Sequence, residues 1–207
     1  MTESSDRLVH SRLDSAAARP LIEELSHEYS TRYADYHGFT RPEDAPAEIE
    51  LFPAQVFAPP YGDLLLIRRG EETIAGGAFM YLDHETAEIK RVWTSSEHRW
   101  QGRSRRIMTA LENAIVERGY RNAYLTTGPR QPEARNLYLN LGYTPLFDLE
   151  ADPETIGELA FEKVLAPGND GPRLRGLLDR WRGFRQRRLV EKTYRWREQP
   201  ETRLSAL

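Results

Sequence analysis

The sequence predicts an α/β protein with a mixed, mostly antiparallel central sheet of about six to seven strands flanked by helices. Three observations carry that expectation. Three strand-like runs joined by short connections fill residues 63–94. Beyond them, amphipathic helical stretches alternate with strands as far as residue 165. The apolar period switches between 2 and 3.6 at the boundaries between these runs.

Arg7 to Leu13 reads as a short first strand. A helix follows with Pro20 in its first turn, where proline is tolerated, and Leu21, Ile22, Leu25, Tyr29 and Tyr33 recur at helical spacing. From Gly38 to Gly62, five of the 13 prolines crowd among acidic residues, which gives loop with room for one short helix. Asp63–Arg68, Thr73–Leu82 and Ala87–Thr94 read as strands, and their short linkers make them an antiparallel meander. Gly76-Gly77 inside the second of these marks a bulge. Arg103 to Arg118 places Ile107, Met108, Leu111, Ala114 and Ile115 on one helical face, and Gly119 ends it. Asn122–Thr127 is a strand, Pro132–Leu141 a helix closed by Gly142, and Tyr143–Phe147 and Leu159–Leu165 are the last two strands.

A chain of 207 residues suits one ordinary domain plus an appendage. The loop-like Ala166-Pro167-Gly168-Asn169-Asp170-Gly171-Pro172 sits where the charge changes sign. Pro172–Leu207 holds 11 Lys and Arg against 4 Asp and Glu, leaving 18 against 28 for residues 1–171. The boundary therefore separates an acidic domain, 1–166, from a basic amphipathic helical extension, 167–207. In the extension Leu174, Leu177, Leu178, Trp181 and Phe184 recur at helical spacing among arginines. It admits three uses: docking on the body or a second subunit as in a homodimer, holding nucleic acid, or lying on an anionic membrane. The absence of cysteine removes disulfides, thiolate-bound zinc and a cysteine nucleophile. The histidines show no metal-ligand spacing, so no metal is expected. Polar Met1–Arg7 shows no secretory signal, and the longest aliphatic run, Leu64–Ile67, cannot span a bilayer. The expectation is a cytoplasmic protein with no membrane span.

The segment richest in chemistry runs from Ala87 to Ser104. A strand feeds the loop Arg99-Trp100-Gln101-Gly102-Arg103-Ser104, which opens directly into a helix. Unpaired N–H groups and the helix dipole at such a start attract anions, Gly102 admits close approach of a ligand, and Arg99, Arg103, Arg105 and Arg106 add charge for phosphates. The bland alternative is a loop whose glycine only makes a turn.

Arg99-x-x-Gly102-x-Ser104 resembles the Arg/Gln-x-x-Gly-x-Gly/Ala signature of the GNAT N-acetyltransferase superfamily. Downstream, Gln131-x-x-Ala134-x-x-Leu137-Tyr138-x-x-x-Gly142-Tyr143 resembles that family's second motif, and Asn122–Thr127 between them is similar to its fifth strand. The element order matches over residues 7–165. Ser104 stands where Gly or Ala is usual, and Gln131 where Asn is usual.

The resemblance implies the acyl-CoA N-acyltransferase fold and a site for acetyl-coenzyme A as cosubstrate. It places the pantetheine arm between the splayed fourth and fifth strands, against backbone groups of Val92, Trp93 and Thr94. It assigns the diphosphate to the loop Arg99, Trp100, Gln101, Gly102, Arg103 and Ser104, with Gln131 and Ala134 on the facing motif. An N–H near Val92 would polarise the thioester carbonyl. Tyr138 matches the family's general acid, the competing reading being a packed aromatic. Glu88 matches the fourth-strand general base of some members, the competing reading being a cross-strand ion pair. Tyr29, Tyr33, Tyr36, Glu28 and Asp35 lie on the helix that borders the acceptor cleft. The implied reaction is direct transfer of acetyl to a primary amine, and the acidic body favours a cationic small-molecule or peptide acceptor. The alternative is a non-catalytic module that binds coenzyme A, or nucleic acid through its basic tail; retention of Glu88 and Tyr138 argues against it.

Overall fold

A computed structural model of the chain describes residues 5–36 and 52–166. The basic extension, and most of the proline-rich segment, lie outside the described residues.

The elements run β1 (Arg7–Ser11), α1 (Arg19–Arg32), β2 (Asp63–Arg69), β3 (Glu72–Tyr81), β4 (Thr86–Thr94), α2 (Arg103–Glu117), β5 (Asn122–Thr127), α3 (Pro132–Asn140), β6 (Thr144–Pro145), α4 (Pro153–Ile156) and β7 (Leu159–Val164). They form one seven-stranded sheet in the order β1-β2-β3-β4-β5-β7-β6. Every pairing is antiparallel except β4 with β5. The expected mixed, mostly antiparallel sheet is present.

Two cores flank the sheet. On one face Ile107, Met108, Leu111 and Ile115 of α2 and Tyr138 of α3 pack on Leu65, Ile67, Ala87, Ile89, Leu125 and Phe161. On the other, Leu21 and Leu25 of α1 pack with Phe52, Val56 and Phe57 on Leu64, Leu66, Ala78, Met80 and Trp93. The aliphatic run Leu64–Ile67 is thereby explained: successive side chains point to opposite faces, and both faces are covered.

The glycine pair does mark a bulge, and the extra residue belongs to its partner strand. Gly76 pairs with Trp93 and Ala78 with Lys90, so Arg91 and Val92 stand opposite Gly77 alone. Arg91 takes φ 58 to accommodate this. The bulge shifts the alternation by one, so Ile89 lies in the α2-side core and Trp93 in the α1-side core. Absence of a side chain also matters at both glycines. A Cβ on Gly77 would come within 2.8 Å of Leu111, and one on Gly76 within 2.7 Å of Leu21 and of Leu66. The two helices therefore sit close against the sheet from opposite sides at this point.

Helices α2 and α3 end in the same way. Gly119 (φ 88) and Gly142 (φ 79) turn the chain left-handed. Tyr120 N–H then donates to Ile115 O at 3.2 Å, and Tyr143 N–H to Tyr138 O at 3.0 Å, both in the pattern of a Schellman cap. The strand expected over Tyr143–Phe147 is shorter: Thr144 and Pro145 are in register with β7, and Leu146 N–H adds one bond to Ala160 O at 2.9 Å. Pro145 has no N–H to offer a ladder, which confines it to an edge strand. The loop after it holds a helical turn absent from the sequence reading, α4, whose first turn is capped by Asp152 accepting from Glu154 N–H at 3.0 Å.

Candidate active site

The site begins where the sheet opens. The parallel ladder between β4 and β5 joins Thr86–Ile89 to Asn122–Leu125 and stops there. Beyond it β5 stays with β7 as far as Thr127, while β4 continues on the β3 side through its bulge to Thr94. The two strands thus part at Ile89 and Leu125. From Lys90 onward β4 is no longer in register with β5, and a strand parted from its neighbour in this way is where an extended ligand can add.

At the end of the opening stands the start of α2. Its N-cap is Gly102 at φ 74, with no side chain capping the helix. Arg106 N–H donates to Gly102 O at 3.1 Å, so the N–H groups of Arg103, Ser104 and Arg105 precede the first helical bond. A Cβ at Gly102 would meet nothing within 4 Å. Glycine is therefore demanded here by backbone conformation, and the space before the helix is open. An uncapped helix start facing open space beside a parted strand pair fits a diphosphate with an extended arm, as acetyl-coenzyme A has.

The arginines divide their work. Arg103 is buried, forming an ion pair with Asp6 at 3.1 Å and donating to Gln101 Oε1 and to His98 O. Its guanidinium braces the loop from behind, and its backbone N–H faces the cradle. Burial pushes the Asp6 carboxyl up, but Arg69 and Arg103 outweigh it and hold Asp6 below the usual carboxylate range. Arg106 donates to Asp6 O at 3.0 Å. Arg99 pairs with Glu28 of α1 at 3.1 Å, and Arg105 is exposed on the first turn. The hydroxyls of Ser104 and Thr94 share a hydrogen bond at 3.0 Å, which ties the helix start to the end of β4. Gln101 and Trp100 are exposed, and Trp100 takes φ 63, a conformation that costs about 1–2 kcal/mol for a residue with a Cβ.

Trp93 is a core residue: its indole N–H donates to Glu24 of α1 at 3.0 Å. Val92 faces the opposite way, toward Gly77 and α2. Gln131 is the N-cap of α3, and its Oε1 accepts from Thr127 Oγ1 at 3.0 Å and from Gly128 N–H at 3.1 Å. It shapes the loop that leads into the second motif. Ala134 packs against the α2-side core.

Tyr138 is buried against Phe161 at 5.6 Å and Tyr143 at 5.9 Å between ring centroids. The left-handed Gly142 folds Tyr143 back onto it, which gives the spacing Tyr-x-x-x-Gly-Tyr a structural reason. Burial pushes the Tyr138 phenol well above its ordinary range, so it stays protonated at neutral pH. Glu88 is buried and forms an ion pair with Lys90, two residues along the same strand, at 3.0 Å. Lys90 in turn lies over the Phe52 ring at 5.3 Å. An ion pair is thus present, along the strand rather than across it.

Strand alternation places these two groups on opposite faces. Ala87 and Ile89 belong to the α2-side core, so Glu88 between them faces the α1 side; Tyr138 belongs to the α2-side core. The seam between β4 and β5 is the window between those faces.

On the α1 side a network closes one end of the window. Arg32 Nη1 donates to Arg130 O at 3.0 Å, and Arg130 Nη1 returns a bond to Arg32 O at 3.2 Å. Arg32 also pairs with Glu28 and Glu133, and Arg130 with Asp35 and Glu154. Tyr36 donates to Glu154 O at 3.0 Å. The Tyr33 hydroxyl lies so close over Gly128 that a Cβ there would be 1.9 Å from it, and burial raises its pKa to about 12. Of the residues expected on the helix at the acceptor border, Tyr33, Asp35 and Tyr36 instead lie just past the end of α1 and help join it to the loop before α3 and to α4, while Glu28 of α1 bonds Arg32 and reaches Arg99 before α2. Arg32, Arg130, Glu24 and Asp6 were not singled out from the sequence, because their partners come from distant elements. Elsewhere on the surface, Glu72, Glu97 and His98 bring one ligand atom each within 4.8 Å of one another, a grouping formed only when β3 meets the loop after β4.

Comparison with known proteins agrees with this geometry. The profile of the Acetyltransferase (GNAT) family matches residues 21–143. No curated protein sequence matches the chain. Among solved structures, the chain is similar to one assigned as an acyl-CoA N-acyltransferase from Klebsiella pneumoniae, with TM-score 0.58 and 22% identity, covering 78% of this chain and 99% of that one. It is similar to a GNAT-family acetyltransferase from Staphylococcus aureus, with TM-score 0.58 and 11% identity over 78% and 99% of the two chains. A GNAT-family acetyltransferase from Elizabethkingia anophelis with acetyl-CoA bound aligns with TM-score 0.50 and 14% identity over 77% and 97%. These likenesses establish the acyl-CoA N-acyltransferase fold. Among the described residues no helix is long and apolar enough to cross a membrane. With the profile covering more than half of its length, the chain belongs to the GNAT acetyltransferase family.

Proposed function

We propose that this protein transfers the acetyl group of acetyl-coenzyme A to a primary amine by direct attack, with no covalent enzyme intermediate. The observation that carries the reading is the parting of β4 from β5 at Ile89 and Leu125, with the uncapped start of α2 at its end. Bound there, the cosubstrate supplies a thioester, an acyl group already activated toward amines. The N–H groups of Arg103, Ser104 and Arg105 hold the diphosphate, and an N–H near Val92 polarises the carbonyl as negative charge develops on its oxygen.

An amine of pKa about 10 attacks only after losing a proton. Glu88, on the α1 face, receives that proton directly or through water. The departing thiolate needs a proton in turn, and Tyr138, kept neutral by burial on the α2 face, donates it. The acceptor then approaches from the α1 side and the donor from the α2 side, meeting at the seam. The acidic balance of residues 1–171 favours a cationic acceptor.

The test is release of coenzyme A thiol with a panel of amines. Wild type is expected to turn over with at least one amine, and Tyr138→Phe to slow release by about 10²-fold or more. Release unaffected by that substitution removes Tyr138 from the chemistry. Tight cosubstrate binding with no release for any amine would establish a binding module instead.

A further inference from the structure

Trp100 is a side chain that the fold itself does not explain. It is 97% exposed and belongs to neither core. Its backbone is held at φ 63, where glycine would sit without strain. The indole therefore stabilises the loop neither by packing nor by conformation.

Its position gives it a use. Trp100 lies two residues before Gly102, on the rim of the cradle formed by the Arg103–Arg105 N–H groups. Each residue step spans about 3.8 Å, so its backbone stays within about 8 Å of Gly102, close enough for an exposed indole to reach the space outside that cradle. A donor anchored there by its diphosphate continues outward through one ribose to a purine. A flat, exposed aromatic face on that rim offers a purine its stacking partner, and the exposed Arg105 of the first helical turn offers charge to a phosphate on the ribose.

We propose that Trp100 is the platform on which the adenine of coenzyme A stacks, so that the enzyme selects the nucleotide-bearing thioester over shorter pantetheine thioesters. The inference rests on the acetyl-coenzyme A reading above and adds to it a determinant of donor choice.

The test is calorimetric titration of coenzyme A and of acetyl-pantetheine into wild type, Trp100→Phe and Trp100→Gly, with thermal midpoints and sedimentation recorded for each. Trp100→Gly is expected to bind coenzyme A about 10-fold more weakly, as loss of one base–aromatic stack implies, with acetyl-pantetheine binding unchanged. Trp100→Phe keeps an aromatic face and stays within about 3-fold of wild type. Trp100→Gly should melt no lower than wild type, since glycine relieves the left-handed strain; a packing residue would lower the midpoint. Equal coenzyme A affinity in wild type and Trp100→Gly overturns the proposal. So does equal weakening for both donors, or a change in sedimentation with affinity preserved, which would make Trp100 a contact between subunits. A wild type that binds neither donor defeats the acetyl-coenzyme A reading as a whole, and is distinguishable because it needs no variant to observe.

Discussion

Asp6 supports the cradle from outside it. Its carboxylate meets Arg103 at 3.1 Å and Arg69 at 2.9 Å, so the first helical residue of α2 is tied to the residue that precedes β1. Asp6→Asn removes the charge and keeps the shape. The expected loss is about 1 kcal/mol in thermal or denaturant unfolding at pH 7, modest because the pair is partly solvated. The folded pKa of Asp6 is lowered, so its contribution is complete above the unfolded value near 4 and fades as pH falls through the folded one. The variant should therefore differ from wild type at neutral pH and converge with it in acid. Tyr138 and Tyr143 titrate with the opposite sign, both raised by burial. Their stabilisation is complete below the unfolded pKa of about 10 and is lost above it. Alkaline melting curves should show the midpoint falling above about pH 10, less steeply in Tyr138→Phe. Under the proposed mechanism Tyr138 should accordingly produce no alkaline fall in turnover between pH 7 and 9.

Among the elements, β3 and its glycines set how closely the helices approach. Gly77→Ala would press a methyl onto Leu111 and Ile107 and is expected to destabilise by about 1–3 kcal/mol in denaturant unfolding. A substitution in an ordinary surface strand would change little. Elements with a strong period were legible from sequence: α2, β5 and β7 fall within a residue or two of their expected bounds. Glycine-closed helix ends were legible for the same local reason. The failures are also local. Tyr143–Phe147 looks like a strand by composition, yet only Thr144–Pro145 is strand, with one further bond from Leu146 N–H to Ala160 O. The turn Pro153–Ile156 carried a cap signal in Asp152-Pro153-Glu154 but no apolar period, so nothing in the pattern distinguished it from loop. The bulge was readable from Gly76-Gly77, but which strand carried the extra residue was not, because that depends on register between strands.

For the molecule as a whole, the cradle and the two motifs were readable because each is a short contiguous signal. What joins them was not. Arg99 reaches Glu28, Glu28 reaches Arg32, and Arg32 and Arg130 exchange bonds, so the loop before α2 is linked to the loop before α3 through α1. Charged residues on three elements announce no partner until the chain folds. The assignment of the acidic and basic halves to separate units, 1–166 and 167–207, is a proposal that truncation tests. Among the described residues both cores and all seven strands close by Ala166, so a chain ending there should keep its melting midpoint within about 2 °C and its coenzyme A affinity unchanged. A large loss of either would mean that the tail completes the domain.

The parted strands carry a consequence for how such a protein can be improved. Two neighbouring strands that part halfway share a shorter ladder than their lengths allow, and the simplest way to harden the sheet would be to zip them further. A change that extended the β4–β5 ladder past Ile89 and Leu125 is expected to raise resistance to heat while closing the gap that the proposed thioester site requires. Durability and turnover therefore compete along a single line of the backbone, and selections for one should repeatedly surrender the other there.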